Sequence, residues 1–302
     1  MAKNKKIDIY QDVTDRIIKA LEDGQNGSWK RPWRFIATGD DLATPHNLDG
    51  KAYNGINVLL LGIEGHNVSL WGTYNRWKKE DCQVRSGEKG TRIVFWKFLR
   101  IKDKDTGKED TIPLVKTFTV FSVSQVDGFD LDAYVAKRTE NAPKPAERLE
   151  TAEAAIWNYT STEGIKVNLG GNRAYYSPSE DAVNSPVREA FKSPADFYST
   201  LAHECGHSTG HKSRLDRDLK NRFGCRAYAF EELVAELTAA FFCAKVGISD
   251  SPREDHVQYI EGWLEGLKKD KHAIFKAASL ANKAIKYIID GPENAVTLEE
   301  AA

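Results

Sequence analysis

Cysteine is scarce in this 302-residue sequence: Cys82, Cys205, Cys225 and Cys243 are the only four, and they show no paired spacing. That excludes a disulfide scaffold and fits a reducing, cytoplasmic setting. Long apolar runs are absent too, since none approaches the roughly 18 residues that a bilayer span requires. The basic start, Met1 to Lys6, is followed by Asp8, Asp12 and Asp15, where a signal peptide would carry its apolar stretch. Neither secretion nor a membrane role is expected. Overall charge is also nearly missing, at −1, and the chain holds neither internal repeats at solenoid periods nor a long low-complexity tract.

What is present is enough for packed cores: 41% hydrophobic and 29% charged residues, over a length that favours two domains. The near-zero charge conceals an asymmetry. Residues 1–128 hold 21 Lys and Arg against 17 Asp and Glu, a net of +4, and the remainder carries −5. Five of the seven tryptophans also lie in the first part. The segment Asn141-Ala-Pro-Lys-Pro-Ala146 disfavours both helix and central strand. The expected division is therefore residues 1–140, a linker at 141–147, and residues 148–302.

The first part reads as an α+β module. Ile9, Val13, Ile17, Ile18 and Leu21 recur at helical spacing, and residues 91–99 and 116–126 alternate as strands around a polar tip at 102–108. The second part reads as a helix over 148–162, then short strands at 166–169 and 174–176. Helices near 194–209, 229–246, 255–267 and 270–289 follow. The fold class expected is α+β in two domains, the second mainly helical.

His203-Glu204-Cys205-Gly206-His207 is the sharpest signal. Residues four apart on a helix share a face, so both imidazoles can reach one metal ion, and Glu204 is placed to act as base on a metal-bound water. The competing reading is a helical face that happens to carry these residues. A third protein ligand is needed. His211 lies eight residues from His203, an axial rise of about 12 Å, too far for one ion. Cys225 stands in a polar stretch without a partner spacing. The helix from Phe230 offers Glu232 and Glu236 one turn apart, so Glu232 is expected as the ligand and Glu236 as the carboxylate behind a ligand histidine. Zinc is the expected ion, with manganese the alternative. Tyr228 is a candidate donor to a developing oxyanion.

The aromatic and basic residues of the first part form a second constellation. Trp29, Lys30, Arg31 and Trp33 alternate in one loop; Lys51, Tyr53 and Asn57 follow in a turn-rich segment. Trp71, Tyr74, Arg76 and Trp77 cluster next, with Arg85 and Lys89 in a Gly-bounded turn. Flat rings that stack on bases, with cations tracking phosphates, suit sequence-tolerant binding of single-stranded DNA. The alternative for each tryptophan is a place in the core.

With these residues in view, the sequence resembles the ArdC-type antirestriction proteins of conjugative plasmids over nearly its whole length. The resemblance rests on Gly50 through Leu61, Trp71 through Trp77, Arg85 through Thr91, Thr200 through Gly210, and Tyr228 through Phe242. It implies a single-stranded-DNA-binding domain followed by a zincin-like metallopeptidase domain, and a role in protecting incoming plasmid DNA from restriction during conjugation.

Three functions compete. In the first, the N-terminal half holds single-stranded DNA while the metal site cleaves a protein on or near it. In the second, the protein only coats DNA and its metal is structural, which would leave Glu204 without a use. In the third, a regulatory peptidase recognises protein through its N-terminal half, and the basic, Trp-rich loops go unexplained. The first is preferred, with the identity of the protein substrate open.

Overall fold

The computed structural model describes residues 8–24, 44–66, 68–102, 109–140, 144–219, 225–248 and 257–295. The chain begins with helix α1 (Ile9–Gly24), which buries Val13, Thr14, Ile17 and Leu21 along one face. Strand β1 (His46–Asn47), helix α2 (Ile56–Gly62), strand β2 (Leu70–Thr73) and helix α3 (Tyr74–Lys79) follow. Thr73 starts α3, its hydroxyl accepting from the Arg76 amide at 3.2 Å. Then come β3 (Gln83–Val84), β4 (Thr91–Lys102), β5 (Glu109–Ser122) and β6 (Val126–Asp127). The main sheet runs β1-β2-β5-β4, with β4 and β5 paired antiparallel along their whole length, while β3 and β6 form a separate ladder.

Strand β4 lies at an open edge of this sheet, and α2 closes that edge. The Asn57 amide donates to the Val94 carbonyl at 2.7 Å, and its carbonyl accepts from the Val94 amide at 2.8 Å. One side chain thus satisfies both backbone groups that the edge would otherwise leave open.

Helix α4 (Leu131–Thr139), absent from the sequence reading, is capped by the Asp130 carboxylate. Helix α5 (Pro145–Thr162) begins three residues earlier than expected, because Pro145 occupies the first turn, where a missing amide costs nothing. Strands β7 (Lys166–Leu169), β8 (Tyr175–Ser177) and β9 (Ala182–Ser185) form a second sheet in the order β7-β9-β8. The third strand was missed because Ala182-Val-Asn-Ser is too short for its alternation to register. Helices α6 (Pro194–Ser208), α7 (Arg226–Val246), α8 (Val257–Lys269), α9 (Ala273–Asp290) and α10 (Pro292–Ala295) complete the chain.

Helix α7 is the central pillar. Residues 231–244 are buried on every side, which accounts for a sequence that is apolar without a stripe. The N-terminal α+β part and the helix-rich C-terminal part share one hydrophobic cluster. Val13, Leu59 and Val94 belong to it together with Ile156, Leu201, Leu237, Phe242, Trp263 and Ile274. Hydrogen bonds cross the same seam, from Thr14 to the Lys271 carbonyl and from Thr44 to the Ala244 carbonyl. Among the described residues, no helix is long and apolar enough to cross a membrane.

Candidate metal centre

Helix α6 owes its start to Ser193, which caps the Asp196 amide, and to Pro194 in the first turn. His203, Glu204 and His207 lie in its last turns, and His203 and Glu204 are buried. Helix α7 crosses this segment at close range because Gly206 has no side chain. A Cβ there would meet the Thr238 Cβ at 3.2 Å and the Ala235 Cα at 3.3 Å. The glycine lets α7 bring Glu231, Glu232 and Glu236 to the histidines.

The result is a compact donor set of His203, His207 and Glu232. The two Nε2 atoms are 3.2 Å apart; the Glu232 carboxylate stands 3.5 Å from His203 Nε2 through Oε2 and 3.5 Å from His207 Nε2 through Oε1. Burial alone would raise the Glu232 carboxyl, but the imidazoles facing it outweigh that and hold it far below the usual range. Burial draws His207 down, yet Glu232 and Glu231 prevail and push it up to about 10. A proton on His207 and a divalent cation therefore compete for the same nitrogen.

Each imidazole also presents its other nitrogen to a carboxylate. Glu236, fully buried, faces His203 Nδ1 at 3.7 Å, an ionic separation longer than a direct hydrogen bond. Glu231 approaches His207 Nδ1 more closely, at 3.3 Å. Arg217 grips Glu231 with Nε to Oε2 at 3.0 Å and Nη2 to Oε1 at 2.8 Å, a two-pronged pair. The same guanidinium reaches the Thr209 hydroxyl at 2.9 Å and the Gly206 carbonyl at 2.7 Å. Sequence reasoning found neither Glu231 nor Arg217.

The end of α6 is held from its other side by Arg214. Its Nε donates to the Ser208 carbonyl at 2.7 Å, while its Nη atoms pair with Asp181, in the turn joining β8 to β9. His211 turns away and bonds Ser213 at 2.8 Å, and Cys225 caps α7, its sulfur accepting from the Tyr228 amide. Neither joins the donor set. Tyr228 stands one turn before Glu232, its hydroxyl 3.5 Å from that of Tyr259. Burial first, then Tyr259 and the Glu232 charge, raise its phenol, so it stays protonated. Cys205 is fully buried in the core.

The described members of the constellation expected to bind DNA divide between core and surface. Trp29, Lys30, Arg31 and Trp33 lie outside the described residues. Trp71 and Trp77 are 1% and 0% exposed, which corrects their assignment: neither ring has a face left for a base. They fill the two small cores beside the main sheet, and the Trp77 indole donates to the Phe121 carbonyl at 3.0 Å. Asn57 is likewise structural, holding the edge of β4. Tyr53 packs against both Trp71's cluster and the main core, and burial pushes its phenol up to about 12. Arg76 pairs with Asp49 at 3.0 Å and with Glu80, and Arg85 with Glu88 at 3.1 Å and Asp127 at 3.2 Å. Tyr74, Lys51 and Lys89 are exposed.

Comparison with known proteins agrees with this architecture. Residues 7–121 match the family described as the N-terminal domain of anti-restriction factor ArdC, and residues 153–280 match that of zincin-like metallopeptidases. The protein y4eC of Sinorhizobium fredii (strain NBRC 101917 / NGR234) is 41% identical over 91% of this chain and 90% of its own length. DNA primase TraC of Escherichia coli is 35% identical over 96% of this chain, which spans only 28% of that primase. The crystal structure of the antirestriction protein ArdC from plasmid R388, metal-free, superposes with a TM-score of 0.71 at 38% identity, covering 96% of this chain and 98% of that one. Its Mn(II)-bound form gives 0.69 at 36% identity, covering 97% and 100%. A zincin-like domain implies a divalent metal, and the donors to hold one are present. The chain belongs to the ArdC family of antirestriction proteins.

Proposed function

We propose that this protein binds single-stranded DNA through its N-terminal part and carries a metal-dependent peptidase site, protecting plasmid DNA as it enters a new host. The observation that carries the peptidase reading is the cluster of His203, His207 and Glu232 donors. Two donors held ~2.05 Å from one ion at a tetrahedral angle lie ~3.3 Å apart. At the site the two Nε2 atoms are 3.2 Å apart, and each stands 3.5 Å from a different oxygen of the Glu232 carboxylate, so one carboxylate faces both imidazoles. Two imidazoles and one carboxylate suit zinc and do not exclude manganese. Among the described residues the site has three protein donors, where a structural site takes four, which leaves a position for substrate and favours an enzyme over a DNA coat with a structural ion.

When bound, the ion would polarise a scissile carbonyl and make its water acidic near pH ~7. The chain's own groups do the rest. Glu204 takes the proton of the attacking water and passes it to the leaving amine. Tyr228, kept protonated by its surroundings, donates to the developing oxyanion. Glu231 and Glu236 hold the imidazoles with their Nε2 atoms turned to the shared point. The substrate is a protein associated with the DNA that the N-terminal part holds, and the similarity to a plasmid ArdC supports the conjugative setting.

The test is Glu204→Gln in the full chain loaded with Zn(II) or Mn(II). Single-stranded DNA coated with host proteins is the substrate mixture, read by gel for new fragments. The wild type is expected to cleave, and Glu204→Gln to lose cleavage by about 10²–10⁴-fold while keeping its metal and its DNA affinity. Cleavage by the variant at the wild-type rate would remove Glu204 from the role of base. A wild type that never cleaves but still blocks restriction would leave the coating reading in its place.

A further inference from the structure

The burial of Trp71, Trp77 and Asn57 removes three of the residues expected to meet DNA, and the carboxylates around Arg76 and Arg85 occupy two of its cations, while Trp29, Lys30, Arg31 and Trp33 lie outside the described residues. Another surface offers what they were expected to supply. We propose that the open face of the β4–β5 ribbon, carried by Phe95, Phe118 and Lys116, is the stacking platform for single-stranded nucleic acid. The proposal rests on the single-stranded-DNA reading above and assigns it a place.

The register builds the platform. Ile93 lies opposite Phe118, and Phe95 opposite Lys116, so these four residues share one face of the ribbon. Phe95 and Phe118 are 47% and 45% exposed, with ring centroids 6.1 Å apart at 78°. Lys116 is exposed beside them and makes no ion pair among the described residues. The ribbon is anchored from behind: on the opposite face Trp96 packs against Tyr10 of α1 and Phe275 of α9, at centroid distances of 5.7 and 6.4 Å. On the same face, nearer β2, Ile93 and Val120 lean on Trp71 and Leu61. Two phenyl rings are therefore held in water on a fixed backing.

The lysine decides between occupants. In a dimer formed through this face, ammonium groups would enter an apolar contact, and lysine is depleted from interface cores. A single-stranded nucleic acid satisfies both parts at once, its bases stacking on the rings and a phosphate meeting the ammonium. Duplex DNA keeps its bases stacked on one another and offers the rings nothing.

The experiment measures binding of a fluorescent oligothymidine to the full chain by anisotropy across a salt series. Phe95→Ala/Phe118→Ala is expected to weaken binding by about tenfold or more, as loss of a stacked base does. Lys116→Glu, which leaves both rings in place, should also weaken it and lower the salt slope by about one phosphate contact. Both changes are at exposed positions, so melting temperatures should stay at the wild-type value. Wild-type affinity in the folded ring variant overturns the platform while leaving single-strand binding intact. A wild type that does not bind oligothymidine overturns the binding reading itself. If sedimentation shows a wild-type dimer that the ring variant converts to monomer, the face is a self-association surface and the proposal falls.

Discussion

Arg217 governs the orientation of His207 without touching it. Its guanidinium fixes Glu231 by two hydrogen bonds, and Glu231 in turn meets His207 Nδ1. The pair is almost fully buried, so removing one partner strands the other's charge at a cost of ~3–5 kcal/mol. Glu231→Gln is expected to weaken metal binding by about 10–100-fold, the usual effect of losing a carboxylate behind a ligand histidine. Adding Arg217→Met should restore stability, because no unpaired cation remains, but should not restore affinity. Calorimetric titration with Zn(II) beside thermal melts separates the two effects, and recovery of affinity in the double variant would reduce the pair to a structural role. That His203 and His207 meet was legible because a four-residue spacing puts them on one helical face, and the Glu232/Glu236 spacing pointed in the same way to the carboxylate that joins them. Glu231 was not. It adjoins Glu232 in sequence, and only the crossing of α6 and α7 decides which carboxylate meets which nitrogen. Arg217 stands in a polar stretch with no periodicity to read.

At the scale of elements, the site depends on how closely two helices approach. Gly206 is helical, so an alanine there would gain up to ~1 kcal/mol of propensity. Against that stand the contacts its Cβ would make with Thr238 and Ala235, at 3.2 and 3.3 Å. The latter is backbone and can yield only by moving α7, and overpacking of this kind costs ~1–3 kcal/mol. Gly206→Ala should therefore lower the melting temperature and, by moving Glu232 off the histidines, weaken metal binding too. A melting temperature above the wild-type value would show that the helices have slack. The order of helices after residue 193 was readable from their apolar spacing, as was the β4–β5 hairpin from its alternation. The roles of Trp71 and Trp77 were not, since a ring that stacks on a base and one that fills a small core share composition and neighbours. Burial separates them, and burial is set by β5, some 45 residues further along the chain.

At the scale of the whole molecule, the two parts with different expected tasks are joined through one core. Val13, Leu59 and Val94 from the N-terminal part pack into the same cluster as Leu237 and Ile274. The proposed platform on the β4–β5 ribbon and the candidate metal centre on α6 and α7 are thus attached to a common body, an arrangement that would hold a DNA-bound protein at a raised effective concentration near the site. That account stands on the donor set of His203, His207 and Glu232. Its most direct test is the divalent metal content of purified wild type, Glu204→Gln and Glu232→Ala, measured by elemental analysis after dialysis against a weak chelator. About one ion per chain is predicted for the first two and loss of the ion for the third, because Glu232 completes the candidate donor set and Glu204 is not part of it. Full occupancy in Glu232→Ala, or loss in Glu204→Gln, would contradict it.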